Sequence, residues 1–375
     1  MLNYQFMDKK ILLMYITNVS GHHSATMAIE KAINAFNPHP QVLNIDGFGY
    51  TNPIMEKVTH AIYMGVINKA PAIWDFLYDN PAVARRISNL RQSVYRKNRD
   101  KIKRLIETEN CKVVICSQAF PCGMVADYKK HCNPDIKLIA VVTDFMPHAY
   151  WVYDEIDFYT VGSEEARKAL LKKGVADNKI KLWGIPIDPR FSEPLDKYRT
   201  AAELNINLDK PVILIMGGGR GIGPIKQLIN TLDKSKINAH FLIVTGINKR
   251  LYDYLKNSNF RNKMHIYGYI GYVDKLMTIA DILITKPGGV TTAEALAKYL
   301  PMLIVQPLPG QEQNNTNFLV KQGVVQKADN IKDAVERLVF LLNNPRELDS
   351  IKEKISRIAK PLSSQKIAEL ALRLC

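Results

Sequence analysis

This chain lacks any hydrophobic run long enough to cross a membrane. Its longest apolar stretches, such as Ile11–Ile16 and Ala61–Ile67, fall far short of the ~20 residues a spanning helix needs. Paired cysteines are missing too. Cys111, Cys116, Cys122, Cys132 and Cys375 form no C-x-x-C motif, and an odd number without metal-ligand spacing fits unpaired thiols in a reducing compartment. Met1–Lys10 is polar and leads directly into a strand-like run, so no secretory leader is expected there. No Asp-x-Asp metal motif stands at a suitable strand end; Asp154-Glu155-Ile156-Asp157 does not match one. Internal repeats and low-complexity tracts are absent as well.

Positive charge, by contrast, is abundant: 51 Lys and Arg against 36 Asp and Glu, a formal net charge of +15. That surplus favours polyanionic partners without choosing among them. It concentrates between Arg85 and Arg104, where Arg85, Arg86, Arg91, Arg96, Lys97, Arg99, Lys101, Lys103 and Arg104 face the single acid Asp100. The spacing of Ile87, Leu90, Val94, Ile102 and Leu105 predicts an amphipathic helix with a basic face. Such a face is either merely solvated or set against anionic headgroups, where each basic residue contributes ~1 kcal/mol. Upstream lie Ile62, Tyr63, Trp74, Phe76 and Tyr78; Trp and Tyr favour the headgroup boundary, which supports the membrane reading. A nucleic-acid partner is not expected, because no zinc, homeodomain or RNA-binding signature accompanies the charge.

The 375 residues suit two domains at roughly 100–200 residues each. Strand-type runs (Ile11–Ile16, Val113–Cys116, Leu138–Val142, Tyr159–Val161) alternate with helical patterns (Ser24–Phe36, Glu164–Lys173), as in a parallel sheet covered on both faces. The rhythm breaks at Gly184-Ile185-Pro186-Ile187-Asp188-Pro189 and restarts at Val212–Met216. The expected fold class is α/β, with domains at 1–188 and 189–358. Residues 359–375 form a last helix, after the break at Lys360-Pro361, that can return to the first domain. In doubly wound folds ligands bind outside the carboxyl ends of the strands.

Five segments carry chemistry. Asn18-Val19-Ser20-Gly21-His22-His23 follows the first strand. Gly21 suits a tight turn there, and His22 is a candidate general base or a simple turn residue. Gly217-Gly218-Gly219-Arg220-Gly221-Ile222-Gly223-Pro224 matches neither the G-x-G-x-x-G nor the Walker pattern, yet its exposed amides make an anion cradle. Thr285-Lys286-Pro287-Gly288-Gly289-Val290-Thr291-Thr292-Ala293-Glu294 reads as strand, glycine turn and helix. Its Thr291-x-x-Glu294 spacing fits a capping box and equally a carboxylate gripping ribose hydroxyls. Pro309-Gly310-Gln311-Glu312-Gln313-Asn314-Asn315 places Gln311, Glu312 and Asn315 at a further helix start, either as caps or as sugar ligands. Finally, in Val142-Thr143-Asp144-Phe145 and the loop that follows, Asp144 and His148 are candidates to orient an acceptor or a histidine, and Trp151 is a candidate to stack on sugar or lipid. Trp151 alternatively fills a core.

These segments together resemble the monogalactosyldiacylglycerol synthase and processive diacylglycerol glucosyltransferase family, over nearly the whole chain. That family belongs to glycosyltransferase family 28 and is related more distantly to the N-acetylglucosaminyltransferase that completes the lipid-linked peptidoglycan precursor. The first-domain loop departs from the family's glycine run, with Asn18-Val19-Ser20 before Gly21-His22. The resemblance implies a GT-B fold, two Rossmann-like doubly wound domains facing a cleft. It implies a hexosyltransferase moving glucose or galactose from a UDP-sugar to diacylglycerol with inversion. The alternative is N-acetylglucosamine transfer to a polyprenyl-diphosphate acceptor. His22 is then the base, with Asp144 orienting it. Gly217, Gly218, Gly219, Gly221, Gly288 and Gly289 cradle the diphosphate, beside Lys286 and Thr291. Glu294 holds the ribose, and Gln311, Glu312 and Asn315 face the hexose. His148, Trp151, Trp74, Arg85 and Arg86 serve acceptor and membrane. UDP-glucose or UDP-galactose is the expected donor, with no metal or other cofactor. The expected place is cytoplasmic, peripheral on the inner face of the cell membrane.

Overall fold

The computed structural model describes residues 9–51, 81–147, 149–235, 237–308 and 310–375. Trp74 and His148, and the side chains of Arg85 and Arg86, lie outside this description. The chain forms two compact units: one runs to Pro189 and takes in Leu308–Gln311 and Leu362–Cys375, the other comprises Arg190–Pro307 and Glu312–Pro361.

The first unit is built on a six-stranded parallel sheet. Its strands are β1 (Lys10–Tyr15), β2 (Gln41–Asp46), β3 (Cys111–Cys116), β4 (Lys137–Val141), β5 (Phe158–Thr160) and β6 (Ile180–Lys181), in spatial order β2-β1-β3-β4-β5-β6. The continuous apolar run of β1 follows from burial on both faces. Leu12 and Met14 join one core with Val114, Ile102 and Tyr128, while Ile11 and Leu13 join another with Val113, Ile29 and Ile33. Around the sheet lie α1 (Gly21–Asn34), α2 (Gly47–Thr51), α3 (Pro81–Thr108), α4 (Ala119–His131) and α5 (Glu164–Lys172).

Helix α3 is the predicted basic helix, but its charges divide. It buries Tyr95, Asn98, Ile102, Leu105 and Ile106. Arg99 makes a two-pronged pair with Asp127 at 2.7 and 3.0 Å, and Lys101 donates to the Thr51 carbonyl at 2.5 Å. Arg96, Lys97, Lys103 and Arg104 remain exposed along one side.

The second unit holds another six-stranded parallel sheet: β7 (Val212–Met216), β8 (His240–Val244), β9 (Met264–Tyr267), β10 (Ile282–Thr285), β11 (Met302–Val305) and β12 (Val325–Ala328), ordered β12-β11-β10-β7-β8-β9. Its helices are α6 (Lys197–Glu203), α7 (Ile225–Lys234), α8 (Lys249–Lys256), α9 (Val273–Ile279), α10 (Gly289–Ala297), α11 (Gln311–Lys321), α12 (Ile331–Asn343) and α13 (Pro345–Ile358). The strand order turns back between β7 and β10, whose ends Met216 and Thr285 are in register. Ligand sites open at such a switch point.

The last helix, α14 (Ser363–Leu374), packs against α1 in the first unit. Ser363 and Ser364, both fully buried, donate their hydroxyls to the carbonyls of Ile185 and Ile187 at 2.7 and 2.8 Å.

Candidate active site

In the first unit the switch point lies between β1 and β3, and His22 stands above it. Ser20 caps α1, its side chain accepting from the His23 amide, so His22 falls in the first helical turn. The tight turn was expected at Gly21. It lies earlier, at Thr17 (φ 62°) and Val19 (φ 55°). Left-handed backbone at a β-branched residue is costly. Here the loop is tied down: Asp46 accepts from the Thr17 amide at 3.0 Å, and the Ser20 hydroxyl donates to the Thr17 carbonyl at 2.6 Å.

His22 Nδ1 lies 2.8 Å from the Ser117 carbonyl oxygen and 3.0 Å from Thr143 Oγ1. A carbonyl only accepts, so Nδ1 carries the proton and Nε2 holds the lone pair. Burial pulls the imidazole pKa down to about 4, against a smaller upward pull from the Ser117 carbonyl. The ring is therefore neutral at pH 7, with a basic nitrogen available. His23 is placed differently: its ring stacks on Tyr15 at 4.3 Å.

Ser117 and Thr143 hold His22 Nδ1. Asp144 follows Thr143 directly, and its buried carboxylate accepts from the Gln311 side-chain amide. Trp151 is not presented to an acceptor; it fills the core in a 3-10 turn at Ala149–Trp151. Thr143 stands inside the Val142-Thr143-Asp144-Phe145 segment, one residue before the candidate Asp144, whereas Ser117 carries no sequence signal beyond its position just past β3. Ser117 acts through a main-chain carbonyl that every residue has.

In the second unit the glycine loop after β7 is folded on itself and on its neighbour. The amides of Gly221 and Ile222 donate to the carbonyls of Gly218 and Gly217, at 3.0 and 3.1 Å. Gly218 and Gly221 have φ of 68° and 59°, and a Cβ on Gly221 would overlap the Thr245 carbonyl. The loop after β8 completes the packing: the Ile247 amide donates to the Gly219 carbonyl at 3.0 Å. Across the switch point, a Cβ on Gly218 would lie 3.7 Å from Lys286 Cε. The Gly217–Gly223 loop and the Lys286-Pro287-Gly288 turn thus sit side by side. A cavity of about 290 Å³, lined by Gly246, Ile247, Lys249, Tyr252 and Gly268, opens along the same strand edge.

Gly288 is the N-cap of α10, so Gly289 opens the helix, and Thr291 is its third residue rather than its cap. This removes the capping-box reading of Glu294, which stands a turn further in and is partly exposed. Lys286 pairs with Glu312 at 2.5 Å, both side chains mostly buried. Asn315 is fully buried and donates to the Pro287 carbonyl at 3.1 Å, so it braces the glycine turn rather than presenting its amide. Gly288 faces open space. Amides at a helix start, glycines and one lysine converge here, a set suited to a diphosphate.

The comparisons with known proteins follow this division. Residues 22–187 match the family model for monogalactosyldiacylglycerol (MGDG) synthase, and residues 196–358 match that for glycosyl transferases group 1. The chain is 30% identical to a processive diacylglycerol beta-glucosyltransferase of Bacillus licheniformis over 366 residues, 96% of this chain and 94% of that protein. It is 28% identical to the Bacillus subtilis protein of the same name, covering 98% of this chain and 95% of that one. Among solved structures, Acinetobacter baumannii MurG superposes with a TM-score of 0.63 at 14% identity, covering 97% of this chain and 99% of MurG. Staphylococcus aureus MnaA with UDP superposes at 0.61 and 13% identity, covering 96% and 94%. At such identities the structures speak for the fold alone. On its near-full-length identity to the Bacillus proteins, this chain belongs to the monogalactosyldiacylglycerol synthase and processive diacylglycerol glucosyltransferase family, with a GT-B fold.

Proposed function

We propose that the protein transfers a hexose from UDP-glucose or UDP-galactose to the free hydroxyl of diacylglycerol, with inversion, at the anionic inner surface of the cell membrane. The observation that carries this reading, beyond family membership, is the fixed tautomer of His22. An alcohol is a poor nucleophile at pH 7. Nε2 takes the hydroxyl proton as the oxygen attacks the anomeric carbon, and Nδ1–H, held on the Ser117 carbonyl, steadies the imidazolium that forms.

The leaving UDP gains negative charge. The amides of Gly217–Gly219 and Gly289, the N-terminus of α10 and the Lys286 ammonium stabilise it, with Gly221 and Gly288 shaping the turns that bring them close, so the reaction needs no metal ion. Glu294 holds the ribose hydroxyls, and Thr291 and Glu312 complete the donor site, with Gln311 on the hexose. The exposed basic side of α3 meets the membrane. No helix among the described residues is long and apolar enough to cross a bilayer.

Thin-layer analysis of lipid products tests the reading, using purified protein, diacylglycerol in anionic vesicles and each UDP-sugar. A glycosyldiacylglycerol is expected, unchanged by EDTA. His22→Ala should lower turnover roughly 10²–10⁴-fold. Transfer of N-acetylglucosamine to a polyprenyl diphosphate instead, or rescue by Mg²⁺ after EDTA, would overturn the acceptor or the metal-free assignment.

A further inference from the structure

The loop that carries the base has two residues in left-handed backbone, Thr17 at φ 62° and Val19 at φ 55°, and neither is glycine. Both are β-branched, so the conformation persists only where other groups hold it. Asp46 supplies the hold. It ends β2 directly beside Tyr15, the last residue of β1, and its carboxylate reaches in two directions. Oδ2 accepts from the Thr17 amide at 3.0 Å, while Oδ1 accepts from the amides of Phe48 and Gly49 at 2.9 and 3.1 Å. Those two amides open α2, which is fixed in turn: Lys101 of α3 donates to the carbonyl of its last residue, Thr51, at 2.5 Å.

One further residue passes this hold on to His22. The Ser20 hydroxyl donates to the Thr17 carbonyl at 2.6 Å, and its oxygen accepts from the His23 amide at 3.2 Å. Tyr15 also donates its hydroxyl to the Asn18 side-chain oxygen at 2.9 Å. A chain of hydrogen bonds thus runs from the Asp46 carboxylate to the helical turn in which His22 meets Ser117 and Thr143. An asparagine at 46 cannot do the same. It has one acceptor oxygen where the carboxylate has two, so either Thr17 or the start of α2 would face an amide –NH2 group instead.

We infer that Asp46 is a positioning residue for the base: it holds the strained loop and, through it, keeps His22 Nδ1–H on the Ser117 carbonyl. Its effect on the ring stands on this geometry; its effect on rate rests on the reading of His22 as the base proposed above. The consequence is a coupling between Asp46 and the two left-handed residues. Side chains at Thr17 and Val19 favour relaxation of the loop, and Asp46 opposes it. Glycine at both positions removes that tendency, so the loop then depends far less on Asp46.

Asp46→Asn is made in the parent chain and in a chain carrying Thr17→Gly and Val19→Gly, and two readouts are followed. One is the imidazole NMR signal of His22 in protein with isotope-labelled histidine, assigned by its loss in His22→Ala. The other is steady-state transfer from each UDP-sugar to diacylglycerol. In the parent chain Asp46→Asn should broaden the Nδ1–H signal and lower kcat about tenfold, the scale of one hydrogen bond to a charged group, with the KM for the UDP-sugar unchanged. In the glycine background the signal should stay sharp and the loss shrink to about twofold. Ser20→Ala cuts the same chain of bonds further along. It should give the same broadening and loss of rate, and it serves should Asp46→Asn fail to fold. An unperturbed His22 signal in the folded variant overturns the inference whatever the rate does, and so does an equal loss in both backgrounds. A perturbed signal with normal kcat keeps the positioning and sinks His22 as the base. Absence of product from the parent chain with either UDP-sugar sinks the transfer reading alone, because the NMR signal still decides what Asp46 does.

Discussion

Thr143 Oγ1 lies 3.0 Å from His22 Nδ1, on the nitrogen that also faces the Ser117 carbonyl. Two polar groups from the ends of neighbouring strands fix one face of the imidazole and leave Nε2 as the reactive nitrogen. Thr143→Val keeps the shape and deletes the hydroxyl. The expected result is a fall in kcat of about fivefold, the scale of one net hydrogen bond, with the KM for the UDP-sugar unchanged. Thr143→Ser should restore most of the rate. A change confined to KM would argue against a positioning role.

Burial holds the His22 pKa at about 4, below its ordinary 6.5. The base is therefore unprotonated throughout the neutral range. The plot of kcat/KM against pH should be flat from about pH 6 upward and fall only toward pH 4. An acid limb centred near 6.5 that vanishes in a His22 variant would contradict the buried, neutral ring. Stability follows the same sign. Between 6.5 and 4 the unfolded chain takes up a proton that the folded ring refuses, so this contribution is complete above 6.5 and is lost as pH falls toward 4.

Val19 carries a φ of 55° and Gly21 does not have positive φ. Relief of ~1–2 kcal/mol of steric cost at Val19 outweighs the ~0.5–1 kcal/mol that a new glycine adds through the unfolded chain. Val19→Gly should raise the melting temperature slightly. Gly21→Ala should fold with unchanged or higher stability, because Gly21 begins a helix. Destabilisation by Gly21→Ala would return the tight turn to that residue.

Gly221 and Gly288 separate fold from ligand. A Cβ on Gly221 would meet the Thr245 carbonyl at a φ of 59°, whereas one on Gly288 meets nothing within 4 Å. Gly221→Ala should therefore lower thermal stability by about 1–3 kcal/mol. Gly288→Ala should melt like the parent yet bind UDP about tenfold more weakly by calorimetry, the scale of one or two hydrogen bonds to a charged group. Normal UDP binding by a folded Gly288→Ala protein would remove that glycine from the diphosphate site.

Glu294 stands beyond the first turn of α10, whose N-cap is Gly288. Glu294→Gln should cost less than about 0.5 kcal/mol of stability, as a partly exposed side chain does. It should weaken UDP binding and, more tellingly, narrow the preference for UDP over 2′-deoxy-UDP. An unchanged preference would take the ribose away from Glu294.

Much of the fold was legible because central strands of a doubly covered sheet read as unbroken apolar runs. Ile11–Ile16, Val212–Met216 and Ile282–Thr285 all did so. Strands β2, β6 and β12 escaped notice for the opposite reason. Each lies at a sheet edge, where pairing is one-sided and polar residues such as Asn44 in β2 or Lys327 in β12 are tolerated. The start of α10 was read at Thr291 because threonine is a good cap. The chain instead used Gly288, where the turn needs a close backbone approach.

The order of apolar runs and glycine turns by itself determined two parallel sheets, the loops at their carboxyl edges and the family. A pattern of that kind is local and repeats with the period of each element. Only the tertiary structure decided which nitrogen of His22 is basic, that Asn315 and Trp151 are buried rather than presented, and that Arg91 meets three tyrosines. Those outcomes depend on atoms from strands and helices far apart in the chain, and on a main-chain carbonyl that no side-chain identity reveals.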